Sequence, residues 1–198
     1  MARLALALVA IDNLKAPKAH EFEFDDLETS CHTKYKPYSV TLAVQTKTRR
    51  ILGFRVSQMP TKGSYAAVAF RKYGPRPDLR IQGRRKLFED LTPIVTKTAV
   101  IKSDQNPHYK KDVDEYFPEA DYQRFKGRKP RSDGQRELKK GPFDPLYSLN
   151  HTYAMLRANI NRLIRETWCL SKKPERLTYH LALYAIYHNR YVISHPSR

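Results

Sequence analysis

The chain has 198 residues, room for one domain with an extension, and its 40% hydrophobic content is enough to build a core. Thirty-seven lysines and arginines against 20 aspartates and glutamates leave a net charge of +17. Such a surplus points to a polyanionic partner, because each cation set on a phosphate releases a counterion. Two cysteines, Cys31 and Cys169, exclude a disulfide framework and a four-cysteine zinc ribbon. No run approaches the roughly 18 consecutive apolar residues of a membrane helix.

Residues 4–11 (LALALVAI) mimic the apolar segment of a short signal peptide, but Asp12, Lys15 and Lys18 follow at once. Residues 1–20 therefore read as an apolar helix or as the remnant edge of a longer protein. From 22 to 29 apolar and polar residues alternate with Phe22 and Phe24 on one side, the period of a strand. A loop over 34–37 leads to a second strand over 38–44, with Val40, Leu42 and Val44 on one side. The polar turn 46–49 leads to a third strand over 51–56. Short connections predict an antiparallel meander.

Residues 57–85 are broken by Pro60, Gly63, Gly74, Pro75, Pro77 and Gly83 and carry Arg71, Lys72, Arg76 and Arg80. They read as a basic, mostly irregular crossover with a short helix near 65–70. A helix over 84–91 precedes a β-rich run, 98–104, that ends in Asp104. Asn106-Pro107 is a helix start, Asn as cap and Pro at the first helical position, with Tyr109, Val113 and Phe117 inward. A short strand over 122–125 precedes a basic loop by composition, 126–142. Leu149, Tyr153, Leu156, Ile160 and Leu163 make one helical stripe, and Leu177, Leu181, Tyr184 and His188 another. Three antiparallel strands, then alternating helices and strands, then a helical C-terminal third is the order of an α/β, RNase H-like mixed sheet. That core spans 21–193, with 194–198 as a tail.

In such a sheet the first strand and the strand after the first helix are neighbours, so Asp25 and Asp104 converge. Paired carboxylates beside phosphates hold Mg²⁺ or Mn²⁺, hard cations that prefer oxygen ligands. The alternatives are an exposed acidic cluster (Glu21, Glu23, Asp25, Asp26, Glu28) and a turn residue before the Asn106 cap. Arginines and lysines in 71–86 and 124–140 flank the site as phosphate contacts: Arg71, Lys72, Arg76, Arg80, Arg124, Lys126, Arg128, Lys129, Arg131, Lys139 and Lys140. Tyr109, Tyr116 and Tyr122, among basic residues, can stack on unpaired bases, although core packing is the commoner use. His151 and His188 on the terminal helices could be site residues, although partly buried structural histidines are commoner, and Trp168 reads as a core anchor.

Several stretches in order resemble the DDE-class insertion-sequence transposases. They are Phe24-Asp25-Asp26-Leu27-Glu28-Thr29 with Lys47-Thr48-Arg49-Arg50-Ile51-Leu52-Gly53-Phe54, then Ile101-Lys102-Ser103-Asp104-Gln105-Asn106-Pro107-His108-Tyr109. Gly134-Gln135-Arg136-Glu137-Leu138-Lys139-Lys140 and Phe143-Asp144-Pro145-Leu146-Tyr147-Ser148-Leu149-Asn150-His151 follow. The run from Leu156 to Arg165, with Thr167-Trp168-Cys169 and Ser171-Lys172-Lys173, is similar to that family's last helix. The resemblance covers roughly residues 22–190. It implies a metal-dependent enzyme that cuts and joins DNA at element ends, works in a synaptic homo-oligomer and resides in the cytoplasm with the bacterial or archaeal nucleoid.

By that resemblance Asp25 and Asp104 take the first two metal positions. The family's third acid falls at Leu156, leaving Glu137, Asn159 and Asn150 as substitutes. The chain also reads as a catalytic core without the amino-terminal DNA-reading domain common in such enzymes. Both departures favour an alternative, a catalytically degenerate, transposase-derived DNA-binding protein. A basic RNA-binding or ribosome-associated protein is supported by composition alone.

Overall fold

A computed structural model describes residues 2–126, 144–163 and 171–194. Helix α1 (Ala2–Lys15) leads into three strands, β1 (Ala19–Cys31), β2 (Thr33–Gln45) and β3 (Ile51–Gln58). A 3-10 turn (Gly63–Tyr65), α2 (Ala66–Tyr73) and α3 (Arg80–Leu91) carry the chain to β4 (Val95–Asp104). Then come α4 (Tyr109–Tyr116), β5 (Asp121–Phe125), α5 (Tyr147–Asn159), α6 (Pro174–Tyr187) and a π-helical turn, His188–Val192. The sheet order is β3-β2-β1-β4-β5, antiparallel across the first three strands and parallel from β1 through β4 to β5. This is the RNase H-like arrangement the sequence predicts.

Both sheet faces are covered, so β1 and β2 are buried on two sides. Leu27, Val40, Leu42 and Val44 pack with Ala5 and Val9 of α1, Leu149, Tyr153 and Leu156 of α5, and Leu177, Leu181 and Ala185 of α6. On the other face Phe22, Phe24 and Ile101 meet Leu87, Phe88 and Leu91 of α3 and Tyr109 and Val113 of α4. Phe24 meets Phe88 edge-on, with ring centroids 5.1 Å apart. Gly53 lets α3 approach β3: a Cβ there would stand 2.7 Å from Leu87 Cδ1. No helix among the described residues is long and apolar enough to cross a membrane.

Two sequence expectations need correction. The β1–β2 connection turns at His32, whose φ of 62° is left-handed, and the expected 34–37 loop belongs to β2. Pro37 is tolerated there because β3 ends opposite Tyr38, so the missing N–H of Pro37 breaks no β2–β3 bond. The helix expected from Asn106-Pro107 starts at Tyr109 instead. Asp104 Oδ1 accepts from Asn106 N (2.9 Å) and Asn106 Oδ1 from His108 N (3.1 Å), which folds 104–108 into consecutive side-chain-closed turns.

Candidate active site

The β1–β4 register sets Phe22 beside Ile101 and Glu23 beside Lys102. Carried two residues further, the same register brings Asp25 level with Asp104, the last residue of β4. Each acid is fixed by local bonds. Asp25 Oδ1 accepts the hydroxyl of Tyr109 (2.9 Å) and the backbone N–H of Asp26 (2.7 Å). The Tyr153 hydroxyl from α5 donates to the Asp25 carbonyl. Asp26 accepts from Thr41 Oγ1 on β2, and Ser103 Oγ donates to the Asp104 carbonyl (2.7 Å).

The electrostatics are unusual for so basic a chain. Burial, and then the negative charge of Asp104, push the Asp25 carboxyl from 3.8 up to about 7. The Asp26 N–H and the Tyr109 hydroxyl pull the other way and lose. Tyr109 and Tyr153 are raised far above the ordinary phenol range by burial and by these acids, so both stay protonated donors. No ion pair among the described residues uses Asp25, Asp26 or Asp104, although other acids of the chain are paired.

Behind the site, Arg84 is buried against Asp112, its Nε 2.8 Å from Oδ2, and its guanidinium lies 4.8 Å from the Tyr109 ring centroid. Arg84 is thus committed inside the fold rather than offered to phosphates, while the partly exposed Arg85 pairs with Asp112 and Glu115. Glu23, one of the residues read as an exposed cluster, is 1% exposed and accepts the backbone N–H of Leu149 (2.7 Å) at the start of α5. It ties the helix carrying Tyr153 to the strand carrying Asp25.

The remaining expected residues fall as follows. Leu156 is buried in the α5–sheet core, 1% exposed. Asn159 is exposed and donates to Met155 O (2.8 Å), and Asn150 donates to Asp144 Oδ2 (2.8 Å). Among the described residues, no group of three His, Cys, Asp or Glu side chains has the arrangement of a metal site. Glu137, Arg128, Lys129, Arg131, Lys139 and Lys140 lie outside the described residues, as does Trp168. Arg124 on β5 stands opposite Ser103, donates to Gln105 O (2.8 Å) and lies beside the Asp104 strand end, with exposed Lys126 just beyond. Arg71 and Lys72 are exposed on the last turn of α2; Arg80 forks onto Asp78, and Arg76 reaches Pro37 O and the Tyr38 ring. His188 is buried with Nε2 2.9 Å from Arg49 O, a structural role, and Arg49 faces His151.

Sequence reasoning missed three contributors. Tyr109 was expected as a core or base-stacking ring, and its full burial rules out stacking; Tyr153 was expected as a core residue. Their one legible signal is that each is a tyrosine, not a phenylalanine, on an apolar stripe. Arg157, exposed one turn beyond Tyr153, acts on that hydroxyl and is a further cation at the site.

No protein-family model matches this chain, and no curated protein is significantly similar to it.

Proposed function

We propose that the chain is the catalytic core of an insertion-sequence transposase, performing metal-dependent cleavage and transfer of DNA strands. The observation that carries this reading is the pair Asp25 and Asp104, held side by side, partly buried and without an ion-pair partner among the described residues, in a chain of net charge +17. Two such carboxylates lack only a cation, and oxygen donors suit Mg²⁺ or Mn²⁺. When bound, the ion supplies charge neutralisation at a phosphodiester and a more acidic water.

The chain's own groups have separable tasks. Asp25 and Asp104 would hold the ion, while Tyr109 and the Asp26 N–H fix the direction of the Asp25 carboxylate. Arg124 and Lys126 flank the Asp104 end and Arg157 the Tyr153 side, where they would grip phosphates on either side of the scissile bond. Glu137 is proposed as the third acid. Element ends and target, both duplex DNA, are the substrates, bound by a synaptic homo-oligomer in the nucleoid-containing cytoplasm.

The position of Leu156 favours a second reading. With an apolar residue of α5 packed into the core where a third acid is expected, the chain would bind DNA without cutting it. Incubating supercoiled plasmid with the protein and Mn²⁺ separates the two. The enzyme reading expects nicked or linear product that Asp25→Asn and Asp104→Asn both abolish. Intact plasmid, with salt-sensitive binding that Asp104→Asn leaves unchanged, would leave only the DNA-binding relic.

A further inference from the structure

Beyond Asp25, strand β1 runs on to Glu28, Thr29 and Ser30, which line a solvent-open cavity of about 240 Å³ with Pro37, Thr61 and Tyr65. Glu28 is three residues past Asp25, about 10 Å along a strand. A second cavity, of about 370 Å³, shares Thr61 as a lining residue; Ala66, Phe70, Pro75 and Arg76 shape it. Each cavity has an aromatic side chain with much of its surface in water, Tyr65 at 43% and Phe70 at 64% exposure. Much of each ring therefore stays open to a ligand.

Their surroundings are cationic. Lys34 Nζ stands 4.0 Å from the Tyr65 ring centroid, and Tyr35 meets that ring edge-on at 5.7 Å. Lys36 Nζ is 4.1 Å from the Tyr73 ring, and Arg71 and Lys72 are exposed on the same helix as Phe70. The one acid lining either cavity, Glu28, is bound to Lys62 at 2.6 Å. Arg80, forked onto Asp78, also feels the charges of Asp26 and Glu28 and so lies between this region and the acids.

Aromatic faces set between lysines, in adjoining hollows, are the arrangement that takes single-stranded nucleic acid: bases stack and the backbone follows the cations. Duplex DNA presents no free base faces and has no use for Tyr65 and Phe70. We propose that these two cavities take successive unpaired bases of the DNA strand next to the scissile phosphate, stacked on Tyr65 and Phe70, with the backbone along Lys34, Lys62 and Arg76. The site would thus act on ends whose strands are locally separated. This rests on the transposase reading for the identity of the strand, but its binding chemistry is independent of the metal.

The test is fluorescence anisotropy of the full chain, in EDTA and at fixed salt, with a labelled single-stranded oligodeoxynucleotide, its duplex and an RNA of the same sequence. Wild type should bind the single strand, and Tyr65→Ala and Phe70→Ala should each weaken that binding by roughly five- to a hundred-fold. Tyr65→Phe should restore it, and duplex affinity should change far less. Both rings are exposed, so the variants should fold, which circular dichroism checks. Tyr147→Ala, at an exposed ring on α5, is the control and should bind as wild type. Equal losses on single strand and duplex, no loss at all, or tighter binding of the RNA would overturn the proposal. Mn²⁺ binding measured on Tyr65→Ala stays at the wild-type level if only the base site is wrong or lost. Its absence from the wild type itself would instead sink the catalytic reading.

Discussion

The raised carboxyl of Asp25 makes a stability prediction that needs no DNA and no metal. In the unfolded chain Asp25 titrates near 3.8, and in the fold near 7. Between those values the native state holds a proton that the unfolded state has released, so stability falls as pH rises through the window. The stabilisation relative to the charged form is complete below the unfolded value and gone above the folded one. At about 1.36 kcal/mol per pH unit, the interval corresponds to a penalty of about 4 kcal/mol at pH 8. Asp25→Asn removes the titration yet keeps an Oδ1 acceptor for the Tyr109 hydroxyl and the Asp26 N–H. Urea unfolding followed by far-ultraviolet circular dichroism, wild type against variant from pH 4 to pH 9, reads the difference directly. The variant should gain stability over wild type progressively from pH 4 and level off near 4 kcal/mol above pH 8. A difference that stays constant across that range would refute the account of Asp25 as a buried, uncompensated acid.

Other consequences are simpler to state. Because the Asp104 charge is the second cause of the Asp25 shift, Asp104→Asn should move the midpoint of that pH dependence to lower pH in the same unfolding series. Arg84→Met leaves the buried Asp112 carboxylate only its partly exposed partner Arg85 and should cost up to about 3–5 kcal/mol, with Arg84→Met/Asp112→Leu recovering much of it in thermal melts. Gly53→Val puts side-chain atoms against Leu87 and should destabilise by about 1–3 kcal/mol, eased by Leu87→Ala. Arg124→Ala should weaken duplex binding across sequences and lower the slope of log affinity against log salt by about 1.

The elements legible in the sequence are those whose periods are clean. Phe22 and Phe24 against Glu23 and Asp25, and Val40, Leu42 and Val44 in β2, write a two-residue period, and the short connections dictate a meander. With that order in hand, the neighbouring of β1 and β4 and the meeting of Asp25 with Asp104 follow from topology. What stayed hidden depends on tertiary partners. Glu23 looks like any surface acid until Leu149, 126 residues on, brings a free helix N–H to it. Arg84 belongs to a basic run by composition, and only the packing of α3 on α4 turns it inward to Asp112. Pro37 reads as a loop residue because nothing in the chain announces that β3 stops opposite Tyr38. The hydroxyls of Tyr109 and Tyr153 reach Asp25 from opposite sides of the sheet, a convergence invisible to any single period.

The most direct test of the central claim is a calorimetric titration of Mn²⁺ into the full chain bound to a duplex, wild type beside Asp104→Asn. The account predicts binding to wild type accompanied near neutral pH by proton release, because a half-protonated Asp25 must ionise to serve as ligand. It predicts loss of that binding in the variant. Equal, weak heats in both proteins would contradict a carboxylate metal site at Asp25 and Asp104, and with it the enzymatic reading of the chain.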